Sequence, residues 1–333
     1  SMARYVSSGH LVFGREGFLF AVPFDVERLE VLGSPVPVLE GVRGMRSSGV
    51  VHAGFAGNGV MAYIPGSPRS LQSRMTIRSR DGSIQPVAAP TAGYVNPRIS
   101  PDRTQVALQV AGDASFDIWT YSFEHESTTR LTFEGMNTAP VWSPDGRRIA
   151  FSSVRNDALM SVYVKASDGS GQAEPLVSPE RFENAGQTMP RAWTPDGGAL
   201  LFEFTDENAN NLAMLSEADG EIQVLLETPA AESNPAISPN GRWLAYVSDE
   251  AGKFQVFVRA FPGPGGKWQV SNEGGVNPRW SPDGSELFYR WQDSLHVVDV
   301  DDRSGGFRTS RPEALFDGLP QAGAVFDLSL IHI

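Results

Sequence analysis

The chain has 333 residues, 41% of them hydrophobic, and a formal net charge of −12. Phosphate backbones and anionic lipids repel an acidic protein, so the composition argues against nucleic-acid and membrane-surface binding. The sequence contains no cysteine, which excludes disulfides, thiolate chemistry and zinc sites built on cysteine. It has no run approaching the ~20 apolar residues that a membrane helix needs, so no membrane insertion is expected.

The first two predicted units, residues 4–43 and 49–90, are degenerate copies of a pattern that becomes clear further along the chain. In the first unit, apolar β-prone segments at residues 9–13 and 18–22 predict strands. In the second unit, residues 55–63 contain a turn followed by a strand. Neither unit has the proline-containing turn of the later copies.

Five clearer units follow, each with a Ser/Thr-Pro-Asp/Asn turn. The intervals between the turn prolines are 43, 51, 44 and 43 residues, close to the ~40–45 residues of a propeller blade. The proline presets φ, the Asp or Asn hydrogen-bonds nearby backbone, and a following glycine takes the left-handed conformation. The turn is therefore a strand-reversing device. The turn prolines are Pro101, Pro144, Pro195, Pro239 and Pro282.

The strands around each turn form a four-stranded meander, and one face of such a sheet cannot be buried by the sheet alone. Radial stacking of the units solves this problem, whereas a β-sandwich or a solenoid fits the period less well. The sequence predicts an all-β fold, a β-propeller of four-stranded antiparallel blades, with seven blades favoured and six or eight as alternatives. One domain is predicted over residues 3–327, with units at approximately 4–43, 49–90, 91–133, 134–178, 185–228, 230–272 and 275–316 and a partial strand at 323–327.

Both ends of the chain have an artificial character. Residues 1–2 are interpreted as a cloning remnant followed by a start codon. Residues 328–333 match the translation of a sequencing adapter, which suggests a metagenomic reading frame cut short. The partial strand at 323–327 would then begin an eighth unit.

The repeat x-Pro-x-Trp-Ser-Pro-Asp-Gly, clearest at residues 139–146, resembles that of TolB-like, WD-repeat-like β-propellers. Residues 5–13, 19–25 and 261–270 are similar, more specifically, to the propeller (sensor) region of bacterial Ser/Thr protein kinases. This resemblance implies a ligand- or protein-binding platform in an extracytoplasmic or periplasmic location. The resemblance implies no catalytic residue in this chain, because the residues of the shared motif have structural roles.

Catalytic motifs are not recognisable in the sequence. No serine lies in a G-x-S-x-G elbow, and the five histidines are not spaced as metal-ligand pairs. The turn aspartates Asp102, Asp145, Asp196 and Asp283 recur in nearly every clear unit, as a structural cap does and a single metal site does not. No cofactor is assigned with certainty, and Ca²⁺ is the candidate.

The strongest candidates for binding lie in loops that a propeller gathers at the mouth of its central channel. Arg98 and Arg279 occupy equivalent positions of inner strands, where they could hold an anion or make interblade hydrogen bonds. The candidate ligand-binding residues are Tyr94, Asn96, Arg98, Glu134, Asn137, Glu183, Gln187, Glu232, Asn234, Glu273, Asn277 and Arg279.

Three functions are consistent with these features. The favoured one is a monomeric, non-enzymatic module that binds a protein, peptide or small-molecule ligand, since the scaffold is rigid and the loops vary. The alternative is a Ca²⁺-dependent hydrolase such as a lactonase or phosphotriesterase, with oxygen ligands drawn from Glu134, Glu183, Glu232 and Glu273. The third is a structural fragment without a function of its own.

Overall fold

The protein is described here from a computed structural model. Its described residues are 3–6, 8–15, 18–41, 44–45, 50–51, 53–55, 61–63, 73–112, 115–155, 159–182, 186–207, 209–302 and 306–319. Almost all the regular structure in these ranges is antiparallel β-sheet, with a single 3₁₀ turn at Pro179–Arg181. No helix within the same ranges is long and apolar enough to cross a membrane.

The chain divides into two compact units. The N-terminal unit contains Ser1–Ser73 and Asp113–Ser115, and the C-terminal unit contains Arg74–Gly112 and Phe116–Ile333. The division falls inside the second predicted repeat. The extent of a single domain over 3–327 stays a prediction, and residues 1–2 and 320–333 lie outside the described ranges.

Among its described residues, the N-terminal unit contains one larger sheet and two short pairs of strands. The strands of this unit are β1 (Arg4–Val6), β2 (His10–Arg15), β3 (Phe18–Asp25), β4 (Glu30–Val31), β5 (Val36–Glu40), β6 (Gly44–Met45), β7 (Val50–Val51), β8 (Ala53–Phe55) and β9 (Met61–Tyr63). In the larger sheet, β1, β2, β3 and β5 pair in sequence and β4 pairs with the end of β3; β6 pairs with β7, and β8 with β9. Its described core is small and centres on Val12 and Leu19.

In the residues that the structure describes, the C-terminal unit contains one hairpin followed by five sheets. Consecutive strands pair in order, except that the last strand of the final sheet pairs with the strand two before it. The hairpin and first two sheets comprise β10 (Thr76–Arg78), β11 (Ile84–Pro86), β12 (Gly93–Ile99), β13 (Gln105–Ala111), β14 (Phe116–Ser122), β15 (Ser127–Arg130), β16 (Met136–Trp142), β17 (Arg148–Val154), β18 (Ser161–Ala166) and β19 (Glu174–Val177). The later sheets comprise β20 (Gln187–Trp193), β21 (Ala199–Thr205), β22 (Asn210–Ser216), β23 (Ile222–Leu226), β24 (Ser233–Ile237), β25 (Trp243–Ser248), β26 (Gln255–Ala260), β27 (Lys267–Gln269), β28 (Val276–Trp280), β29 (Glu286–Trp291), β30 (Ser294–Asp301), β31 (Arg308–Thr309) and β32 (Glu313–Phe316).

We call β12–β15, β16–β19, β20–β23, β24–β27 and β28–β32 the first to fifth sheets. Each neighbouring pair of these sheets shares a hydrophobic core of its own. Ala107 and Ile118 of the first sheet pack with Phe151 of the second, for example, and Leu201 of the third sheet packs with Tyr246 of the fourth. This face-to-face packing of four-stranded meanders is the arrangement of β-propeller blades, and it confirms the predicted fold class.

The repeated turns have the predicted structural role. In the second sheet, Ser143 Oγ donates to Asp145 Oδ1 at 2.6 Å, and the same oxygen accepts from the backbone N–H of Arg147 at 3.0 Å. Gly146 has a positive φ of 70°. A methyl group added there would lie 3.9 Å from the side chain of Pro101, in the preceding sheet's turn. The turns therefore reverse the chain and also lie against one another from sheet to sheet.

The hairpin β10–β11 contacts the sheets at both ends of the series. Met75 and Val87, which flank the hairpin, pack against the first sheet in a cluster that includes Leu108. On the other side, Arg80 donates to both carboxylate oxygens of Glu286 in the fifth sheet, at 2.6 and 3.1 Å. Within the C-terminal unit, the hairpin and the five sheets thus form a closed circuit of contacts.

Candidate functional site

A cavity of about 270 Å³ lies among the inner, first strands of the C-terminal unit. Its walls come from the first, third, fourth and fifth sheets, so residues distant in sequence converge on one space. Small-molecule sites occupy ~300–1,000 Å³, so the volume of this cavity is just below the lower end of that range. The lining residues are Asn96, Arg98, Met189, Arg191, Asn234, Pro235, Asn277 and Arg279.

A shared backbone irregularity positions these side chains. In β12, β24 and β28 the ladder with the next strand shifts register at an Asn-Pro pair. The asparagines Asn96, Asn234 and Asn277 have positive φ values of 50°, 50° and 55°. Asparagine tolerates this left-handed conformation better than most residues. The same three residues therefore have a backbone role as well as a place in the cavity wall.

Arginines enter the cavity from alternate sheets. Arg98, Arg191 and Arg279 each follow the proline of β12, β20 and β28. The residues after the corresponding prolines of β16 and β24 are Val141 and Ala236, which are buried in the cores between sheets. From sheet to sheet, the long cationic side chains at the cavity thus alternate with short apolar ones that are buried in the cores between sheets.

Hydrogen bonds hold the guanidinium groups of Arg191 and Arg279 in place. Arg191 forms a hydrogen-bonded ion pair with Glu203, whose side chain is only 8% exposed. Glu203 also accepts the backbone N–H of Asn234 at 2.5 Å, which joins the third and fourth sheets. One guanidinium N–H of Arg279 donates to the carbonyl oxygen of Pro278 at 2.8 Å.

Five of the predicted site residues line this cavity: Asn96, Arg98, Asn234, Asn277 and Arg279. Arg191 is not predicted from the sequence, because alignment of the repeats on the Ser/Thr-Pro-Asp turn places Ala192 at the position of Arg98 and Arg279. Strand β20 has one more residue between its inner proline and that turn, and the structure absorbs it as a register shift between Pro190 and Ala192. Alignment on Pro190 would have placed Arg191 beside Arg98 and Arg279.

Three other predicted residues lie in packing contacts and do not line the cavity. Tyr94 donates its hydroxyl to the carbonyl oxygen of Pro90 at 2.7 Å, and burial raises the pKa of its phenol. Asn137 is fully buried and its amide donates to Asp117 in the neighbouring sheet at 3.3 Å. The third, Glu232, is buried beside Thr228.

The four glutamates proposed as calcium ligands do not share one environment. Glu232 is 2% exposed, and burial raises the pKa of its carboxyl group. It accepts a hydrogen bond from Thr228 at 2.6 Å. Glu134 and Glu273 are exposed, as is Gln187. Glu183 lies outside the described residues. Among the residues that are described, no three His, Asp or Glu side chains are grouped to hold a metal ion.

Comparison with known proteins gives partial sequence matches. No protein-family model matches the chain. It is 25% identical over 197 residues to a Bacillus subtilis protein named uncharacterized peptidase YuxL, a match covering 46% of this chain and 29% of YuxL. It is 34% identical over 83 residues to the Tol-Pal system protein TolB of Geobacter sulfurreducens, covering 25% of this chain and 18% of that protein. The chain thus spans less than a third of either relative's length.

Comparison with solved structures gives a broader match. The structure of a putative TolB from Agrobacterium tumefaciens superimposes with a TM-score of 0.62 at 20% identity, over 76% of this chain and 91% of that one. At this level of identity the likeness concerns the fold. The chain is a β-propeller protein with a TolB-like fold.

Proposed function

We propose that this protein is a ligand-binding propeller module and that it takes up its ligand in the cavity lined by Arg98, Arg191 and Arg279. The observation that carries the proposal is the convergence of polar side chains from four separate sheets on one small space. Concave spaces lined by a few well-placed polar groups are the usual form of small-molecule sites.

Rigid positioning of these groups supports the proposal. Each lining residue lies on an inner strand, and each sheet is packed on its neighbours through a separate buried core. A site built on strands loses less conformational entropy on binding than one built on loops. We infer from this that the cavity is preformed.

A variant that fills the cavity tests the proposal. Met189 lines the cavity, so Met189→Trp should occupy much of its volume. The matched control is Val224→Trp, which adds an indole on the outer strand β23, where Val224 is 42% exposed. A panel of small carboxylates, phosphates, sugars and short peptides is screened by thermal shift. We expect at least one compound to raise the melting temperature of the wild type and the control but not that of Met189→Trp. Equal shifts in all three proteins would place binding elsewhere.

The same proposal includes a sensor role outside the cytoplasm and a protein or peptide as a possible class of ligand. Similarity to kinase sensor propellers supports an extracytoplasmic sensor role, and a protein or peptide ligand would engage the rim around the cavity. A partner captured equally well by wild type and Met189→Trp would favour the rim over the cavity.

A hydrolase is the second candidate, and the match to YuxL, which is named a peptidase, is what favours it. Arginines in the cavity could stabilise a developing oxyanion. Ester, lactone, phosphotriester and peptide substrates should then be turned over, with loss of activity in Arg98→Ala. Turnover that disappears on chelation and returns with Ca²⁺ would support the metal-dependent form, while no turnover of any class would remove this candidate.

A further inference from the structure

The side-chain amides of Asn234 and Asn277 differ from that of Asn96, although the three residues hold equivalent positions in the cavity wall. Asn96 Nδ2 donates to Gln109 Oε1 at 2.7 Å. Among the residues that the structure describes, the amides of Asn234 and Asn277 have no hydrogen-bond partner. A polar group in a partly enclosed space is costly unless water or a ligand supplies its hydrogen bonds. These two amides are therefore open positions for a ligand.

The next strand of each sheet explains the difference. Gln109 on β13 pairs with the residue before Asn96. The residues that take this place on β25 and β29 are Val247 and Arg290. Valine has no hydrogen-bonding group in its side chain, and Arg290 donates through Nε to the carbonyl oxygen of Gln292 at 2.7 Å. The second strand thus decides whether the amide in the cavity wall is held within the protein or left for a ligand.

The charged groups of the wall have partners inside the protein. Arg191 forms its ion pair with Glu203, and Arg279 donates to the carbonyl oxygen of Pro278 at 2.8 Å. A charged ligand would have to compete with such bonds. A neutral ligand that bonds the two open amides would not.

The chemistry of the amides selects the kind of neutral ligand. A carboxamide presents an acceptor oxygen and a donor nitrogen side by side, and a hydroxyl group can both donate and accept. Two neighbouring hydroxyls therefore complement one carboxamide. Because Asn234 and Asn277 lie on the fourth and fifth sheets, the ligand meets two such groups and needs more than one pair of hydroxyls. The hydroxyls on successive carbons of a sugar ring meet this need.

The size and remaining surface of the cavity agree with one sugar ring. About 270 Å³ is the share of about nine water molecules at ~30 Å³ each. Met189 and Pro235 add apolar surface on which the C–H groups of a ring can pack. Resting on the proposed function, we propose that the cavity binds a single-ring sugar or related cyclic polyol, whose neighbouring hydroxyls bond the amides of Asn234 and Asn277.

Calorimetric titration with defined probes tests this inference. The probes are D-glucose, D-galactose, D-mannose and myo-inositol. Cyclohexanol keeps a ring with one hydroxyl, and acetamide offers one donor–acceptor pair without a ring. We expect at least one of the four polyols to bind more tightly than both of these comparison compounds. The absence of binding by all four polyols would overturn the inference, as would equal binding of cyclohexanol or acetamide.

Glycine substitutions test the two amides directly. Asn234→Gly and Asn277→Gly remove the amide, and glycine adopts the positive φ of these positions without strain. Each should weaken binding of the tightest polyol about tenfold. The control, Gln223→Ala, removes a carboxamide from an exposed position of the outer strand β23 and should leave the affinity unchanged. Wild-type affinity in both glycine variants would show that the amides do not bind the ligand.

Val247→Gln provides a second test that leaves the cavity wall intact. The new side chain takes the place that Gln109 has beside Asn96, so it should bond the amide of Asn234 and weaken polyol binding. Val247→Met is the matched control, because methionine has a similar length and no amide, and it should bind the polyol more tightly than Val247→Gln. The same affinity in these two variants would contradict the role of the Asn234 amide.

The outcomes separate this inference from the proposed function. If a charged compound raises the melting temperature of the wild type but not of Met189→Trp, and no polyol binds, the cavity is a binding site and the polyol assignment is wrong. If no compound of any class binds, both are wrong. A polyol that binds wild type and Met189→Trp equally well occupies another site, which also overturns the inference.

Discussion

The indole Nε1 of Trp142 donates a hydrogen bond to the carbonyl oxygen of Arg98 at 2.8 Å. The bond joins the inner strands of the first and second sheets at the base of a cavity arginine. The corresponding tryptophan of the fifth sheet, Trp280, donates to the carbonyl oxygen of Ala236 at 3.0 Å. A residue of the repeat motif therefore links the packing of the blades to the position of the site.

Trp142→Phe should weaken both the packing and the site. Loss of the hydrogen bond and of part of the ring volume should lower the free energy of unfolding by about 1–2 kcal/mol. Because the bond fixes the backbone of Arg98, ligand binding in the cavity should also weaken. Urea denaturation and titration measure the two effects.

Trp280→Phe is the matched control for that prediction. It removes the equivalent bond from a residue, Ala236, that does not line the cavity. The loss of stability should be similar and the loss of affinity smaller than in Trp142→Phe. Equal losses of affinity would contradict a specific link between Trp142 and Arg98.

Arg103 occupies the position that glycine holds in the other four proline turns, with a positive φ of 64°. The left-handed conformation costs a residue with a Cβ roughly 1–2 kcal/mol, and the greater freedom of glycine in the unfolded chain offsets part of this. Arg103→Gly should therefore raise the free energy of unfolding, by less than about 1 kcal/mol. Urea denaturation at neutral pH measures the change.

The reverse substitution, Gly146→Arg, tests the same strain in the next turn. A Cβ at Gly146 would meet only the Pro101 side chain, at an ordinary contact distance of 3.9 Å. Steric overlap is thus minor, and the expected destabilisation of about 1 kcal/mol arises from the backbone conformation. A neutral effect of both substitutions would show that the turns tolerate either residue.

The repeated turns explain why so much of the fold could be predicted from the sequence. The Ser-Pro-Asp-Gly turn is made by contacts within five residues, such as Ser143 Oγ to the carbonyl oxygen of Arg148, so its chemistry is visible in a short segment. The five clear units coincide with the five sheets of the C-terminal unit. The number of blades around one axis stays a prediction.

The site was less predictable because its geometry depends on register and on contacts between sheets. Arg191 was hidden by the extra residue of β20, which shifts its position relative to the turn. Asn137 and Glu232 are polar residues of the kind expected at the rim of a channel. In the structure, however, Asn137 donates a hydrogen bond to Asp117 of the neighbouring sheet, and Glu232 is buried beside Thr228. A single sequence does not show which side chains, distant along the chain, will lie next to one another.

Acid should weaken the turns because they hold ionised aspartates. Hydrogen bonds from the backbone N–H of Ser285 and from the hydroxyls of Ser281 and Ser285 lower the pKa of Asp283 to about 2. An unfolded aspartate titrates near 3.9. The stabilisation is therefore complete above about pH 4 and is lost as the pH falls toward 2. Asp283→Asn should make the fall in stability over this interval shallower.

Asn240 supplies the control for the acid prediction. In the fourth sheet, Asn240 accepts from Ser238 Oγ at 2.7 Å and from the backbone N–H of Arg242 at 3.0 Å, so asparagine can make this turn without a charge. Asp145→Asn makes the same replacement in the second sheet, where hydrogen bonds from Ser143 and Arg147 lower the pKa of Asp145, and should also make the acid limb shallower. Urea denaturation between pH 2 and 7 measures both slopes, and slopes unchanged from wild type would show that the turn aspartates do not drive acid unfolding.

Arg78 should hold the hairpin β10–β11 against the fifth sheet. Its guanidinium lies 3.9 Å from the centroid of the Phe316 ring and donates to the carbonyl oxygen of Asp317 at 3.0 Å. Arg78→Ala removes both contacts, at a cost of about 1–2 kcal/mol. Hydrogen exchange should accelerate in β10, β11 and β32.

The control, Arg148→Ala, removes a cation–π contact of 4.9 Å with Trp193 between the second and third sheets. In Arg148→Ala, hydrogen exchange should accelerate in the second and third sheets, while the amides of the hairpin stay protected. The same pattern of exchange in both variants would mean that all the sheets open together and that Arg78 has no local role.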